Sequence, residues 1–340
     1  MGRYLLRRVL LMVPTFIGVT IVCFLILKLT NSDPVTAAMQ GGIASRNVSK
    51  QAIMHLRHFY ALDQPWYVQY FRLLRRLVTL DLGTRWKDGQ PIAKVIAEAL
   101  PVTLLLSGIS LVIAYVLAIP LGVFSATHRG TRRDTITTVS LFAVYSLPSF
   151  WVGTMLIVYL SSGRFIACPW NNGGACFPLQ GWHSFRGFEQ LGTLHKLLDI
   201  AWHVTLPIVT LSYATLASLS RYMRMGMLET LRQDYVRTAR AKGLGERRVV
   251  YVHALRNALI PIVTLLGLTL PSLIGGSVVI EQIFGIRGMG LVALEAIRLP
   301  DYPLIITIVA FTGVLTMVGV LLSDILYALL DPRIRLGERS

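Results

Sequence analysis

Few side chains in this sequence have the types and spacing that metal binding or redox chemistry requires. His55 and His58 lie one helical turn apart, which suits two ligands of one metal ion, but no third ligand is near them and a solvated helix face is the alternative. Cys168 and Cys176 flank an Asn-Asn-Gly-Gly turn, so we expect a disulfide if this loop lies in an oxidising compartment, with two free thiols as the alternative. Cys23 lies in an apolar run and is interpreted as a small apolar filler.

The motifs of common enzymes are absent from the sequence. There is no His-Glu-x-x-His, no Gly-x-Ser-x-Gly, no cysteine-rich metal cluster and no Gly-x4-Gly-Lys-Ser/Thr phosphate loop. The apolar runs contain no aspartate pair or serine–histidine pair, which argues against an intramembrane enzyme. Lys28, Glu281 and Asp324 are ionisable, but each falls near the end of an apolar run, where such side chains reach the polar surface. We therefore expect no catalytic residue, no metal and no cofactor, and we assign no substrate-binding residue.

Contact with a partner protein is indicated by the polar, basic stretch 234–243. Asp234 is expected to cap a short helix that Gly243 ends. The small residues at 238–241 would let another surface approach closely, which a solvated loop that only carries charge would not need. The residues expected at this contact are Asp234, Tyr235, Arg237, Thr238, Ala239, Ala241, Lys242 and Gly243.

The elements that position this stretch are membrane helices. Of the 340 residues, 54% are hydrophobic and 15% are charged, whereas soluble domains contain about 25% charged residues. The apolar residues collect in six runs of about the length that crosses a bilayer, and in lipid each run must satisfy its backbone as a helix. These runs are 9–29, 102–124, 136–160, 204–224, 258–280 and 304–327. The sequence thus predicts an all-α, polytopic membrane protein with six transmembrane helices.

The distribution of basic residues predicts the orientation. With the N-terminus inside, the cytoplasmic pieces 1–8, 125–135, 221–257 and 328–340 hold 18 Lys/Arg in 69 residues. The outer loops 161–203 and 281–303 hold 5 in 66 residues. This asymmetry follows the positive-inside rule and places both termini in the cytoplasm. The net charge of +16 is therefore explained by topology, and we expect no nucleic-acid partner.

The expected organisation has four parts. Residues 1–29 form the cytoplasmic N-terminus and first membrane helix; no small-x-small cleavage site directly follows this run, so we do not interpret it as a signal peptide. Residues 30–101 form an extracytoplasmic segment with amphipathic helices that lie at the membrane interface or, alternatively, pack on the protein's own outer surface. Residues 102–327 form the core of five helices, with outer loop 161–203 and cytoplasmic segment 225–257. Residues 328–340 are a cytoplasmic tail.

Residues 235–261 also resemble a known family. Tyr235-Val-Arg-Thr-Ala-Arg-Ala-Lys-Gly243-Leu, followed by His253-Ala-Leu-Arg-Asn-Ala-Leu-Ile-Pro261, is similar to the EAA signature of ABC importer permeases. The likeness is greatest to the first permease subunit of the peptide and nickel branch. Arg237-Thr238-Ala239 stands where the signature has Glu-Ala-Ala, and Gly243 has the required spacing. His253 and Arg256 also depart from the signature. Because Arg237 replaces the Glu of the signature, no single charged contact is carried over.

Short landmarks along the chain support the same branch. They include Asp33-Pro34-Val35, Leu62-Asp63-x-Pro65, Asp81-Leu82-Gly83, Gly288-Met-Gly290, Asp301-Tyr302-Pro303 and Asp331-Pro332-Arg333-Ile334. One departure is Asn31-Ser32-Asp33, where the family often has Pro-Gly-Asp. Each landmark is weak by itself, but they occur in order over almost the whole chain.

The resemblance implies an ATP-driven importer in the bacterial plasma membrane. Its expected partners are a second homologous permease, two cytoplasmic ATPase subunits, an extracytoplasmic substrate-binding protein and the lipid bilayer. The implied cargo is peptides or similar small solutes, with nickel chelates, opines or glutathione as alternatives within the same machinery. A passive channel or an assembly subunit is the competing class. Because the chain has no phosphate loop, ATP hydrolysis is expected on the partner subunits.

Overall fold

The computed structural model gives the protein as a set of α-helices with short connections. The residues that it describes are 2–29, 64–85, 87–163, 175–185, 187–269, 273, 275–299 and 301–330. Within these ranges no strand occurs, and the only β-type pairing is an isolated bridge between Thr84 and Pro91. The predicted all-α class is therefore confirmed.

Twelve α-helices, two π-helical segments and one 3-10 turn make up the described part. The first six helices are α1 (Gly2–Leu29), α2 (Trp66–Val78), α3 (Ile92–Thr127), α4 (Arg132–Tyr145), α5 (Ser149–Leu156) and α6 (Thr193–Thr230). The next six are α7 (Asp234–Ala241), α8 (Glu246–Arg248), α9 (Leu255–Thr269), α10 (Val278–Ile283), α11 (Met289–Arg298) and α12 (Tyr302–Leu330). The π-helical segments are Ile157–Ser161 and Val249–Ala254, and the 3-10 turn is Phe188–Gln190.

Five helical segments in the described residues are long and apolar enough to span a membrane. They are Arg8–Ile26, Ile92–Thr127, Thr193–Thr230, Glu246–Gly267 and Tyr302–Ser323. The predicted third run, 136–160, is instead a pair of helices bent by 92°, and it makes a sixth span if the pair crosses as one. The bend lies at Leu147-Pro148, because proline disfavours the helical conformation of the residue before it and has no N–H to donate.

Three of the helical spans extend well beyond the predicted runs. The predicted second run starts at 102, but α3 begins at Ile92 and so includes the end of the predicted extracytoplasmic segment 30–101. The predicted fourth run covers 204–224, but α6 begins at Thr193 and ends at Thr230. The predicted fifth run starts at 258, whereas helical structure begins at Glu246 and α9 ends at Thr269. Polar residues at helix ends lower the hydropathy but do not stop the helix. As a result, the non-helical part of the predicted cytoplasmic segment 225–257 is much shorter than that segment.

The chain divides into two compact units, which we describe separately. The first consists of Met1–Thr103, Ile274–Val278 and Gly288–Leu321. Its core joins the start of α3 to α11 and α12 through Ile92, Val95, Met289, Val292 and Leu304, all at most 2% exposed. In this unit α2 packs on α1, because the buried Tyr70 hydroxyl hydrogen-bonds with Thr20 Oγ1 at 3.0 Å.

The second unit consists of Leu104–Leu273, Val279–Arg287 and Leu322–Ser340. Its main core consists of side chains from the end of α3, the C-terminal half of α6, α7, the π-helical segment Val249–Ala254 and α9. The core residues are Val123, Ala126, Met223, Met227, Val236, Ala239, Val249, Val250, Ala254, Ala258 and Ile262. This core holds the stretch that the sequence analysis selected.

Candidate functional site

The candidate site is α7 with its two flanking turns, on the end of α6. Residues 231–233 turn the chain after α6, and Gln233 occupies the N-cap position without a side-chain hydrogen bond to the helix. Asp234 is therefore the first helical residue and does not cap α7 as predicted. Its carboxylate still lies in the first turn, where the helix dipole favours negative charge.

The C-terminal end of α7 is a Schellman motif, as the glycine at 243 suggested. Gly243 has φ +77°, and its N–H donates to the Arg240 carbonyl at 2.9 Å. The Leu244 N–H donates to the Ala239 carbonyl at 3.3 Å, which closes the wider ring of the motif. The Leu244 side chain packs against the main core of the unit. Gly243 thus ends the helix and turns the chain back towards the core.

The buried face of α7 carries Val236 and Ala239. Val236 is fully buried and Ala239 is 6% exposed, and both belong to the core that includes Met223 and Met227 of α6. In the sequence, the small residues at 238–241 predict a surface that a partner approaches closely. For Ala239 the structure gives a different reason, since this small side chain lies in the core, where α7 packs on the π-helical segment Val249–Ala254.

The outward face of α7 consists of the other predicted residues. Asp234, Tyr235, Arg237, Thr238, Ala241, Lys242 and Gly243 are all exposed. Two side-chain contacts hold this short helix in place from outside the core. Asn257 Nδ2 of α9 donates to the Tyr235 hydroxyl at 2.7 Å, and Arg240 Nη2 donates to Glu246 Oε1 at 2.7 Å. The hydrogen bond with Glu246 raises the pKa of the Arg240 guanidinium.

The helices that share a core with α7 approach one another closely at two glycine residues. A Cβ at Gly122 of α3 would lie 2.5 Å from Met223 Cβ, and one at Gly226 of α6 would lie 3.2 Å from the Ala258 carbonyl oxygen. Small residues at such crossings let membrane helices approach closely. Helix α6 is therefore tightly packed against α3 and α9, which contribute to the same core as α7.

A buried ion pair in the same unit was missed by the sequence analysis. Asp134 of α4 accepts hydrogen bonds from Arg224 Nε at 2.9 Å and Arg224 Nη2 at 2.8 Å, and Asp134 is only 5% exposed. The position of Arg224 gave little signal, because this residue is the last of the run 204–224, and ionisable side chains at the end of such a run ordinarily reach the polar surface. Its partner, moreover, lies 90 positions earlier in the chain.

The other residues that the sequence singled out lie outside the stretch 234–243. Lys28 donates to Gln69 Oε1 at 3.2 Å, and Glu281 is buried in α10. Cys176 is disulfide-bonded, whereas Cys168 lies outside the described residues, so their pairing stays a prediction. His55, His58 and the Asp324 side chain also lie outside the described part. Within that part no three His, Cys, Asp or Glu side chains form a group suited to a metal ion.

Comparison with known proteins identifies the family. Residues 118–336 match the family described as "Binding-protein-dependent transport system inner membrane component", a range that contains α7 and the end of α6. This family is a membrane component of transport systems and not an enzyme. The match covers more than half of the chain.

Whole-length relatives agree with this result. The chain is 40% identical over 335 residues to the oligopeptide transport system permease protein AppB of Bacillus subtilis (strain 168), covering 98% of this chain and 99% of that protein. It is 37% identical to the di/tripeptide transport system permease protein DppB of Pseudomonas aeruginosa (strain UCBPP-PA14), over 98% of each chain. It is 34% identical to the dipeptide transport system permease protein DppB of Escherichia coli (strain K12), over 98% and 99%. The chain therefore belongs to the family of binding-protein-dependent transport system inner membrane components and is a multi-pass inner-membrane permease.

Proposed function

We propose that this permease forms, with a second homologous permease, the pathway by which an ATP-driven importer takes up peptides. The observation that carries the proposal is the outward face of α7, which is exposed and polar while its inner face is fixed in the core. A helix of 8 residues in this position suits a groove on a partner protein. The names of the full-length relatives, which refer to oligopeptide, di/tripeptide and dipeptide transport, support peptides as the cargo.

The partners follow from what the chain lacks and from its charge distribution. The sequence has no phosphate loop, so we assign ATP hydrolysis to two cytoplasmic ATPase subunits that receive α7. The excess of Lys/Arg in the pieces that include α7 supports a cytoplasmic position for this helix. An extracytoplasmic binding protein delivers the peptide to the opposite face. In this arrangement Tyr235, Arg237, Thr238, Ala241 and Lys242 contact the ATPase, and Ala239 and Gly243 set the position and shape of α7.

The test is reconstitution of the complete transporter. The chain is co-expressed with its candidate second permease and ATPase subunits, purified and placed in liposomes. ATP hydrolysis and uptake are then measured with the binding protein and radiolabelled dialanine, tetra-alanine or hexa-alanine. We expect hydrolysis to rise when binding protein and peptide are both present, and labelled peptide to accumulate inside.

A matched pair of variants tests the role of α7. Thr238 is exposed on α7 and its hydroxyl donates to the carbonyl four residues earlier, as does that of the exposed Thr15 on α1. Thr238→Trp is expected to reduce association with the ATPase and stimulated hydrolysis, while Thr15→Trp retains both. Normal assembly and stimulation in Thr238→Trp would contradict the assignment of α7. Uptake of a nickel chelate, an opine or glutathione instead of peptide would change the cargo but not the machinery.

A further inference from the structure

Helix α4 is attached to α6 at both of its ends. At its start, the Asp134 carboxylate accepts the two hydrogen bonds from the Arg224 guanidinium. At its end, the Arg221 guanidinium lies 4.8 Å from the centre of the Tyr145 ring. Just beyond α4, at the bend before α5, the Tyr213 hydroxyl donates to the Leu147 carbonyl at 2.6 Å. Three side chains of α6 thus hold α4 and its bend.

The attachment at Asp134 is the most enclosed of the three. The same carboxylate accepts from the Ser125 hydroxyl of α3, from the Gly130 N–H at 3.1 Å and from the Thr138 hydroxyl at 3.4 Å. Both of its oxygens are therefore occupied, with partners from α3, α4, α6 and the connecting turn. A carboxylate removed from water keeps its charge in such a place only because it is paired and hydrogen-bonded.

Apolar packing contributes little to the hold on α4. Asp134 is the only buried residue of this helix. Most of its large apolar side chains are exposed, with Ile136 at 65%, Val139 at 59% and Phe142 at 58%, while Leu141 is half-buried. The position of α4 against α6 therefore depends on polar links, of which the Asp134–Arg224 pair has the most bonds.

The same helix, α6, leads directly into the candidate site at α7. Arg224 lies between Met223 and Met227, which pack in one core with Val236 and Ala239 of α7. Only residues 231–233 separate the end of α6 from the start of α7. α7 packs on the π-helical segment Val249–Ala254, and both belong to the same core as the end of α6. Because of this shared core and the three-residue connection, we expect a displacement of α7 to move this end of α6, and Arg224 with it.

The junction of α4 and α5 is a place where the chain can bend. The pair α4 and α5 meets at 92° across Ser146–Pro148, where the backbone lacks the proline N–H. Such breaks between helices absorb angular change at low cost, whereas a packed helix moves as a rigid body.

We propose that the Asp134–Arg224 pair transmits the movement of α7 to α4, and so sets the angle at the α4–α5 bend during the transport cycle. Both are positioning residues. They contact neither ATP nor cargo and act through the helices that they join. The proposal rests on the proposed function, because the movement of α7 is supplied by the partner ATPase.

The first experiment measures coupling in the reconstituted transporter. Asp134→Asn and Arg224→Gln each break the ion pair and are expected to lower peptide uptake per ATP hydrolysed by about two- to thirty-fold, the range found for residues that couple distant sites. The double variant is expected to lose no more than either single variant, because both act through one contact. The exposed pair Lys94–Glu98 gives the control, and Lys94→Gln is expected to retain the wild-type ratio.

The second experiment detects the link itself. Spin labels at Val139→Cys of α4 and at Gln233→Cys, the exposed N-cap position of α7 outside the assigned ATPase contact, are placed in a background without Cys23. Their distance is measured with and without a non-hydrolysable ATP analogue. With the pair intact the two helices move together, so the distance stays constant. In Asp134→Asn the distance is expected to change when nucleotide binds. A residue that only stabilises the fold would not produce this difference.

The outcomes separate this inference from the proposed function. If the wild-type complex shows no stimulated hydrolysis, the proposed function fails first. If the wild type is coupled and the variants keep its ratio and its constant distance, only the link is overturned. If the transporter does not assemble with Asp134→Asn or with Arg224→Gln, the Arg224→Lys variant is the test. Lysine keeps the positive charge but cannot form the two parallel hydrogen bonds that the guanidinium donates. A reduced uptake per ATP in this variant supports the link, and the wild-type ratio overturns it.

Discussion

Gly243 determines how α7 ends, and its backbone conformation is the reason. At φ +77° a residue with a Cβ is strained, by roughly 1–2 kcal/mol in the left-handed region. No atom lies within 4 Å of a Cβ built at this position, so the cost is conformational and not steric. Gly243→Ala is therefore expected to destabilise α7 by about this amount. Stimulated ATP hydrolysis should fall while the complex still assembles.

Gly245 offers a matched control two residues later. It also has open space around its Cβ position, but its φ of −61° suits any residue. Gly245→Ala should therefore leave thermal unfolding and stimulated hydrolysis unchanged. Equal effects of the two substitutions would show that the conformation of Gly243 is not what matters.

The cysteines allow a direct test of the predicted bridge. The chain has three cysteines, and Cys176 is disulfide-bonded while Cys23 is free. Denatured protein treated with iodoacetamide without reductant should therefore gain one alkyl group by intact-mass measurement. After reduction it should gain three. Three groups without reductant would mean that Cys168 and Cys176 are free thiols.

At the residue scale, features of the site that depend on neighbouring residues in the sequence were predicted better than features that depend on contacts between helices. Gly243 was found because a helix end with glycine is a local pattern, and the helix that it ends is present. The burial of Ala239 was not predicted, because the face of α7 that turns inward is determined by its packing on the π-helical segment Val249–Ala254 and the rest of the core. The Asp134–Arg224 pair depends on α4 and α6 meeting, which periodicity does not show.

The helix crossings are where a single methyl group should have the largest effect on an element. A Cβ at Gly122 of α3 would lie 2.5 Å from Met223 Cβ and 2.8 Å from the Ser220 carbonyl oxygen of α6. The carbonyl cannot move without the helix, so α3 and α6 must separate. Gly122→Val is expected to destabilise the protein by about 1–3 kcal/mol, typical of an overpacked core. Thermal unfolding in detergent, followed by tryptophan fluorescence, measures the change.

Gly108 provides the control on the same helix. A Cβ there meets nothing within 4 Å, so Gly108→Val adds the same side chain to α3 without a clash. Its melting temperature should stay close to that of the wild type. A similar loss in both variants would indicate that glycine flexibility in α3, and not its contact with α6, is needed.

At the element scale, hydropathy predicts where apolar helices are but not where they end or bend. α6 has 38 residues and is roughly 57 Å long, about twice the hydrocarbon thickness of a bilayer. Only its apolar middle was recognised, because its ends are polar. The run at 136–160 looked continuous since Pro148 is tolerated within membrane helices, and the bend became visible only in the structure.

For the whole molecule, the fold class and the family could both be predicted from the sequence. Long apolar runs leave no other structure in lipid, and the spacing around Gly243 is specific enough to indicate the family that the full-length relatives share. The orientation rests on a different argument, the distribution of Lys/Arg. Helix packing alone does not determine the orientation, because the backbone hydrogen bonds of a helix bundle are the same whichever end faces the cytoplasm.

Labelling of single cysteines tests that orientation. In a background without Cys23, Phe185→Cys and Arg129→Cys each place an exposed thiol in a loop, and Phe185 is 90% exposed. The positive-inside rule puts 161–203 outside and 125–135 inside. A membrane-impermeant maleimide should therefore label Phe185→Cys in intact cells and Arg129→Cys only after permeabilisation. The reverse pattern would place α7 outside, away from any ATPase, and would contradict the proposed function together with the orientation.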